Sequence, residues 1–188
     1  MELGRTAGLA IAFGLAAAPL QGQRFEVGLG AGLALPIREF RVGAKLGVGG
    51  EAALKYQLGE RPVAIRFDAM HLEFRGKPTR SFVYPRTRVT GLALGAEYDF
   101  DGGEESRWRG WAFGGLGGYY TVVDKGSPEI MPFGRTYVGL KLGFAAAYRM
   151  GLLNPFVQLQ YLTVFRSNAA VKTIPLLIGF RLGRRSDY

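Results

Sequence analysis

The chain has no cysteine and a single histidine. Without cysteine, no disulfide can staple the fold, and thiolate metal sites and thiol nucleophiles are excluded. Long hydrophobic runs are also missing beyond the N-terminus, so no internal segment offers the roughly 20 apolar residues that a membrane helix needs. Serine is scarce and badly placed for a hydrolase. It occurs only at Ser81, Ser106, Ser127, Ser167 and Ser186, each in a stretch that reads as loop, turn or tail.

What is present is a chain of 188 residues with 29 glycines, 13 phenylalanines, 9 tyrosines and a net charge of +9. That length suits one domain. Thr6 to Gln23 carries no charge; it follows Arg5, contains the apolar run Ala7 to Ala18 and ends in small residues and Pro19. This is the pattern of a secretory leader. The expected organisation is a cleaved signal peptide over residues 1–22, cut between Ala17 and Gln23, then one domain over residues 23–188. Glu2 and Arg5 cancel, so the basic excess belongs to that domain and points to acidic partners.

After the leader, helical periodicity gives way to alternation with period two, the signature of strands with two unlike faces. Eight strands are expected. Phe25 to Leu35 alternates Phe, Val, Leu, Ala, Leu, Leu against Glu, Gly, Gly, Gly, Ala, and Val42 to Leu58 is clearer still. The third, Val63 to Phe74, changes phase: Val63, Ile65 and Phe67 share one face, but Met70, Leu72 and Phe74 take the other. One extra residue flips the faces of a strand, so a bulge is expected near Asp68. Further strands present Leu92 to Phe100, Val138 to Met150, Val157 to Phe165 and Ile174 to Leu182 on alternate positions. The fifth, Trp108 to Val123, is too glycine-rich to phase. Proline avoids central strands. Pro36, Pro62, Pro78, Pro85, Pro128, Pro132 and Pro155 fall in expected turns or loops, and only Pro175 lies within a strand.

Alternation alone does not say which face meets which solvent. A soluble barrel would crowd its outer face with polar side chains. Here the second face is mostly Gly and Ala with scattered charges, which fits a cramped lumen. The other face carries large aliphatic and aromatic residues, as a lipid-facing band does. Odd strands rising from the periplasm would bring Phe25, Tyr56, Tyr98, Phe100, Trp108, Trp111, Tyr148, Phe156 and Phe180 to one interface as an aromatic girdle. The expected fold is therefore an all-β, eight-stranded antiparallel up-and-down transmembrane barrel, closed because hydrocarbon leaves no backbone group unpaired.

Two sets of charges are candidate sites. Lys45, Lys55, Arg66, Lys141 and Arg181 share the second face with Glu26, Glu51, Asp68, Glu97 and Asp99. Five cations against five anions in a narrow interior imply mutual pairing, giving either a plugged lumen or a narrow ion path. The loop Arg75 to Arg88 holds Arg75, Lys77, Arg80, Arg86 and Arg88 with Phe82 and Tyr84 and no acid. It reads either as a solvated loop beside anionic lipid or as a patch for phosphates or an acidic ligand. His71 lies close to Asp68 and Glu73, but no serine accompanies it in a strand, so a lipid-modifying hydrolase is the weakest reading. The run Gly114-Gly115-Leu116-Gly117-Gly118 has no following helix and is no nucleotide loop. No cofactor, metal or nucleic acid is expected.

Trp111-Ala112-Phe113-Gly114-Gly115-Leu116-Gly117-Gly118-Tyr119 and Ile174-Pro175-Leu176-Leu177-Ile178-Gly179-Phe180-Arg181-Leu182 resemble segments of the outer-membrane protein β-barrel family, the small barrels typified by the OmpA and OmpX transmembrane domains. The resemblance spans about Phe25 to Gly183. It implies an outer-membrane barrel; outer-membrane lipid, including lipopolysaccharide phosphates, is the expected surrounding, and a monomer the expected state. It also implies that the barrel-assembly machinery reads the last strand, with Phe180 or Tyr188 as its terminal aromatic. A structural or surface-interaction role through the outer loops is the expected function, with a narrow porin-like channel or small-ligand transporter as the alternative.

Overall fold

Residues 25–59, 61–78, 83–101, 106–124, 132–166 and 170–183 are described in the structure, which is a computed structural model. The leader with its cleavage region, Arg80, Phe82, Pro128 and Tyr188 lie outside them. Eight strands form: β1 (Phe25–Pro36), β2 (Ala44–Gln57), β3 (Val63–Gly76), β4 (Thr87–Asp101), β5 (Trp108–Val123), β6 (Phe133–Tyr148), β7 (Leu153–Val164) and β8 (Val171–Leu182). One short helix, α1 (Phe40–Gly43), precedes β2. Each strand pairs antiparallel with the next, and β8 returns to β1, so the sheet is a closed barrel.

The connections differ at the two ends. One end, here the turn end, holds the β2–β3, β4–β5 and β6–β7 connections and the outer ends of β1 and β8. Gly59 (φ 65°) and Gly151 (φ 83°) make its sharpest corners, where a side chain would be strained. The opposite end, the loop end, holds the other four connections. There Phe40 of α1 packs edge-on against Phe74, ring centroids 4.9 Å apart.

The outer surface is apolar on every strand. Leu94 (61% exposed), Val138 (63%) and Ile178 (65%) are typical of its middle. So large an apolar surface would not be tolerated in water. At the turn end Phe25, Tyr56, Tyr98, Phe100, Trp108, Tyr148 and Phe180 point outward from six strands. Neighbours touch: Phe25 and Tyr56 rings lie 4.8 Å apart, Trp108 and Tyr148 rings 5.3 Å apart.

Several sequence expectations need correction. Trp111 and Phe156 do not belong to that girdle; both are buried inside the barrel, 5.9 Å apart. There is no bulge at Asp68. Pairing of β3 with both neighbours is continuous through Asp68, and Arg66, Asp68, Met70, Leu72 and Phe74 all point inward. The sequence looked out of phase because the lumen itself turns apolar toward the loop end. The irregularity is instead in β2, where Lys45 and Leu46 lie opposite the single residue Arg75, between the pairs Ala44↔Gly76 and Gly47↔Phe74. Val42 and Gly43 belong to α1 rather than to β2.

Proline also falls differently. Pro155 lies within β7, opposite Phe180, just before the β6 ladder begins at Phe156. Pro36 closes β1. Pro175 pairs across to Ala34, and on its other side the β7–β8 ladder is interrupted between Leu159↔Leu176 and Leu162↔Thr173. In each position the missing N–H removes little from the ladder.

Strand β5 acquires its phase from packing. Trp111, Phe113, Tyr119, Thr121 and Val123 are buried inside, whereas Trp108, Leu116 and Tyr120 face out. Glycine makes room for these rings. A Cβ on Gly139 would strike the Tyr119 ring, and one on Gly143 would strike Phe113.

Candidate functional site

The interior divides along the barrel axis. Toward the loop end it is an apolar cluster of Ala34, Met70, Leu72, Phe74, Val89, Tyr119, Leu162, Val164 and Val171, with Phe40 and Tyr137 packed against it. Toward the turn end it is a lattice of ion pairs between aromatic walls.

Glu97 anchors that lattice. Its carboxylate accepts two hydrogen bonds from Arg181 (2.7 and 2.9 Å) and one from Arg66 (2.7 Å), and lies 3.2 Å from Lys55 Nζ. Arg66 also donates to Asp68 through Nε (2.8 Å) and to Glu51 (2.7 Å). Lys141 bridges Glu51 (3.2 Å) and Asp68 (2.5 Å). Near the turn end, Glu26 receives Arg109 (2.8 Å) and Arg181 (3.2 Å), and Asp99 receives Arg109 (3.0 Å) and Lys55. Two neutral side chains complete the lattice: Gln158 and Gln160 donate to Glu51 at 2.9 and 3.1 Å. The guanidinium groups lie over ring faces, Arg66 4.0 Å from the Phe113 centroid and Arg181 3.8 Å from that of Trp111. Buried carboxylates and cations are tolerated only when paired and hydrogen-bonded this fully.

Of the ten lumen residues expected from sequence, the structure brings nine together: Glu26, Glu51, Lys55, Arg66, Asp68, Glu97, Asp99, Lys141 and Arg181. Lys45 is not among them. The bulge in β2 reverses the alternation at that point, so Ala44 is buried and Lys45 is exposed on the outside. Arg109 takes its place, and among the described side chains the interior again holds five cations and five carboxylates. Arg109 lies on β5, whose glycines hide the phase that turns it inward. Gln158 and Gln160 were legible as inward positions beside Val157, Leu159 and Tyr161, but carried no charge to draw notice.

The loop end is unbalanced. Among the described residues it carries Arg38, Arg41, Lys45, Arg75, Lys77, Arg86, Arg88, Arg135, Arg166 and Lys172 against Glu39, Glu73 and Asp124, ten cations to three carboxylates. Of the expected basic loop, Arg86 pairs with Glu73 and Arg88 with Asp124 (2.6 Å), acids supplied by the ends of neighbouring strands. Lys77 donates to the Arg41 carbonyl (2.6 Å). Arg75 is exposed with no ion pair among the described residues, and Arg80 lies outside them. His71 faces outward on β3, its Nδ1 2.7 Å from Thr90 Oγ1. Among the described residues no serine or carboxylate is bonded to it.

No known family profile matches the chain, and no curated protein matches it. Solved structures do. Neisserial surface protein A superposes with a TM-score of 0.63 at 17% identity, over 85% of this chain and 97% of that one. A major outer membrane protein of Thermus thermophilus gives 0.57 at 13% identity, over 84% and 97%. The N-terminal β-barrel domain of Pseudomonas aeruginosa OprF gives 0.51 at 15% identity, over 86% and 100%. At these identities the likeness is one of fold: this chain has the fold of the small eight-stranded outer-membrane barrels.

Proposed function

We propose that the chain is an integral outer-membrane barrel, exported by its N-terminal leader, that acts without catalysis through its loop end. In this reading the aromatic turn end lies at the periplasmic interface and the loop end faces outward. The lumen is structural. Its charges satisfy one another and its outer half is packed mainly with apolar side chains, which in this reading closes it to ions. The loop end instead meets anionic groups, such as the phosphates of the outer leaflet or an acidic surface polymer. The barrel-assembly machinery is the partner for insertion, and the protein acts as a monomer.

The observation that carries this reading is where the net charge of +9 resides. The interior holds equal numbers of both signs, while the described loop end has ten cations and three acids. Clustered surface charge of one sign attracts ligands of the other and is sensitive to salt. The test is binding of heparin, as a soluble polyanion, to the full barrel in phosphatidylcholine nanodiscs at rising salt. Affinity that falls steeply with salt is expected. Binding indifferent to salt, or none, contradicts the reading.

A further inference from the structure

The outer wall is not uniformly convex. A groove of about 660 Å³ opens on the outer face of β2 to β6. Small residues make its floor, notably Ala52, Ala69 and Gly118. Its loop-end margin is a row of polar side chains, His71, Thr90, Tyr120 and Thr136, each the direct cross-strand partner of the next. Below that row the outward residues are apolar on each strand: Phe67 on β3, Leu94 on β4, Leu116 on β5 and Val138 on β6 are all exposed. The row therefore marks where the apolar band ends on this side of the barrel.

Arg88 is the next outward position along β4 from Thr90, about 7 Å away at the strand rise per residue. Arg75 is the second outward position beyond His71 on β3; between them stands Glu73, the cross-strand partner of Arg88, its charge met by Arg86. Arg88 already engages Asp124 through one Nη, but a guanidinium has five donors, and the side chain is 41% exposed. Arg75 has no ion pair among the described residues. An acyl-chain-sized furrow of small residues, closed by hydroxyl and imidazole groups and topped by guanidinium groups, is amphipathic in one direction. It matches a lipid standing in the outer leaflet, chain in the furrow and phosphate at the arginines.

We infer that this groove is a binding site for one phosphorylated acyl lipid of the outer leaflet. His71, Thr90 and Tyr120 contact its glycosidic or ester oxygens, and Arg75 and Arg88 its phosphate. The inference rests on the membrane reading above. It also gives the outward-facing His71 a place at the headgroup level.

The test uses the barrel folded in detergent, its fold checked by heat-modifiable gel migration. Native mass spectrometry follows titration with a diphosphorylated, acylated glucosamine disaccharide, with the same lipid after dephosphorylation, and with phosphatidylcholine. One phosphorylated lipid should be retained. Gly118→Leu and Ala69→Leu fill the groove from the lipid side. A Cβ at Gly118 meets nothing nearer than Thr136 Cγ2 at 3.7 Å, so the backbone accepts it. Each should weaken retention by about tenfold, as should Arg75→Gln with Arg88→Gln. The groove-filled variants should bind heparin like the unsubstituted protein. Unchanged lipid retention in the groove-filled variants, equal retention of the dephosphorylated lipid, or a dimer that excludes lipid overturns the inference. If heparin binding alone fails, the loop-end reading falls and the groove stands.

Discussion

Arginine and lysine do two different things in this barrel, and the contrast is between its interior and its loop end. Inside, Lys55, Arg66, Arg109, Lys141 and Arg181 each touch two or more carboxylates. Among the described residues of the loop end, three acids face ten cations. A buried cation stripped of its partner has nowhere to go, whereas an exposed one is solvated whether or not an anion is near. The same residue type is therefore structural in one place and available for recognition in the other.

Removing the anchor of the interior should have the largest effect. Glu97→Ala removes the carboxylate that Arg66, Arg181 and Lys55 share and leaves a buried positive charge in excess, and unfolding in urea should show a loss of about 3–5 kcal/mol, with loss of the compact gel form. A near-normal midpoint would mean that water enters the lattice and the interior is not sealed. Emptying the apolar half comes next. Phe74→Ala removes a fully buried ring beneath Phe40 and should cost about 3–5 kcal/mol by the same assay. It should also be the change most able to let ions through. The unsubstituted barrel should give no steady single-channel current in planar bilayers, and regular conductance steps would favour the narrow-channel alternative. Smallest is the effect of the exposed set. Arg75→Gln should stay within about 0.5 kcal/mol of the parent in stability, while its heparin affinity drops measurably at low salt.

Most of the barrel was legible because the alternation reports directly on which solvent each face meets. It failed where the interior changed character. Met70, Leu72 and Phe74 looked like a switch to the lipid face because an apolar residue was assumed to point outward. They point into a lumen that is itself apolar at that height. Trp111 and Phe156 differ for another reason: an aromatic near a strand end reads as girdle, but these two face inward and wall the ion-pair lattice. Lys45 was misplaced because a bulge of one residue leaves no mark in the pattern of β2, where Gly47 and Gly49 give no side chain to reveal the phase. Arg109 was hidden by the glycines of β5. The loop patch was overstated for another cause: Glu73 and Asp124, which engage Arg86 and Arg88, come from strand ends and were not adjacent in the reading of a single loop.

Lys45 and Lys55 offer the most direct comparison, since they sit on the same strand, ten residues apart in number, and share one face by simple alternation. Only Lys55 is inside. The measurement is urea stability and heparin affinity for Lys45→Met and Lys55→Met in parallel. The account predicts a crossed result. Lys55→Met loses about 3 kcal/mol or more of stability with heparin affinity intact in the folded fraction. Lys45→Met keeps its stability within about 0.5 kcal/mol and loses up to about 1 kcal/mol of heparin binding. Equal losses of stability in the two variants would contradict it.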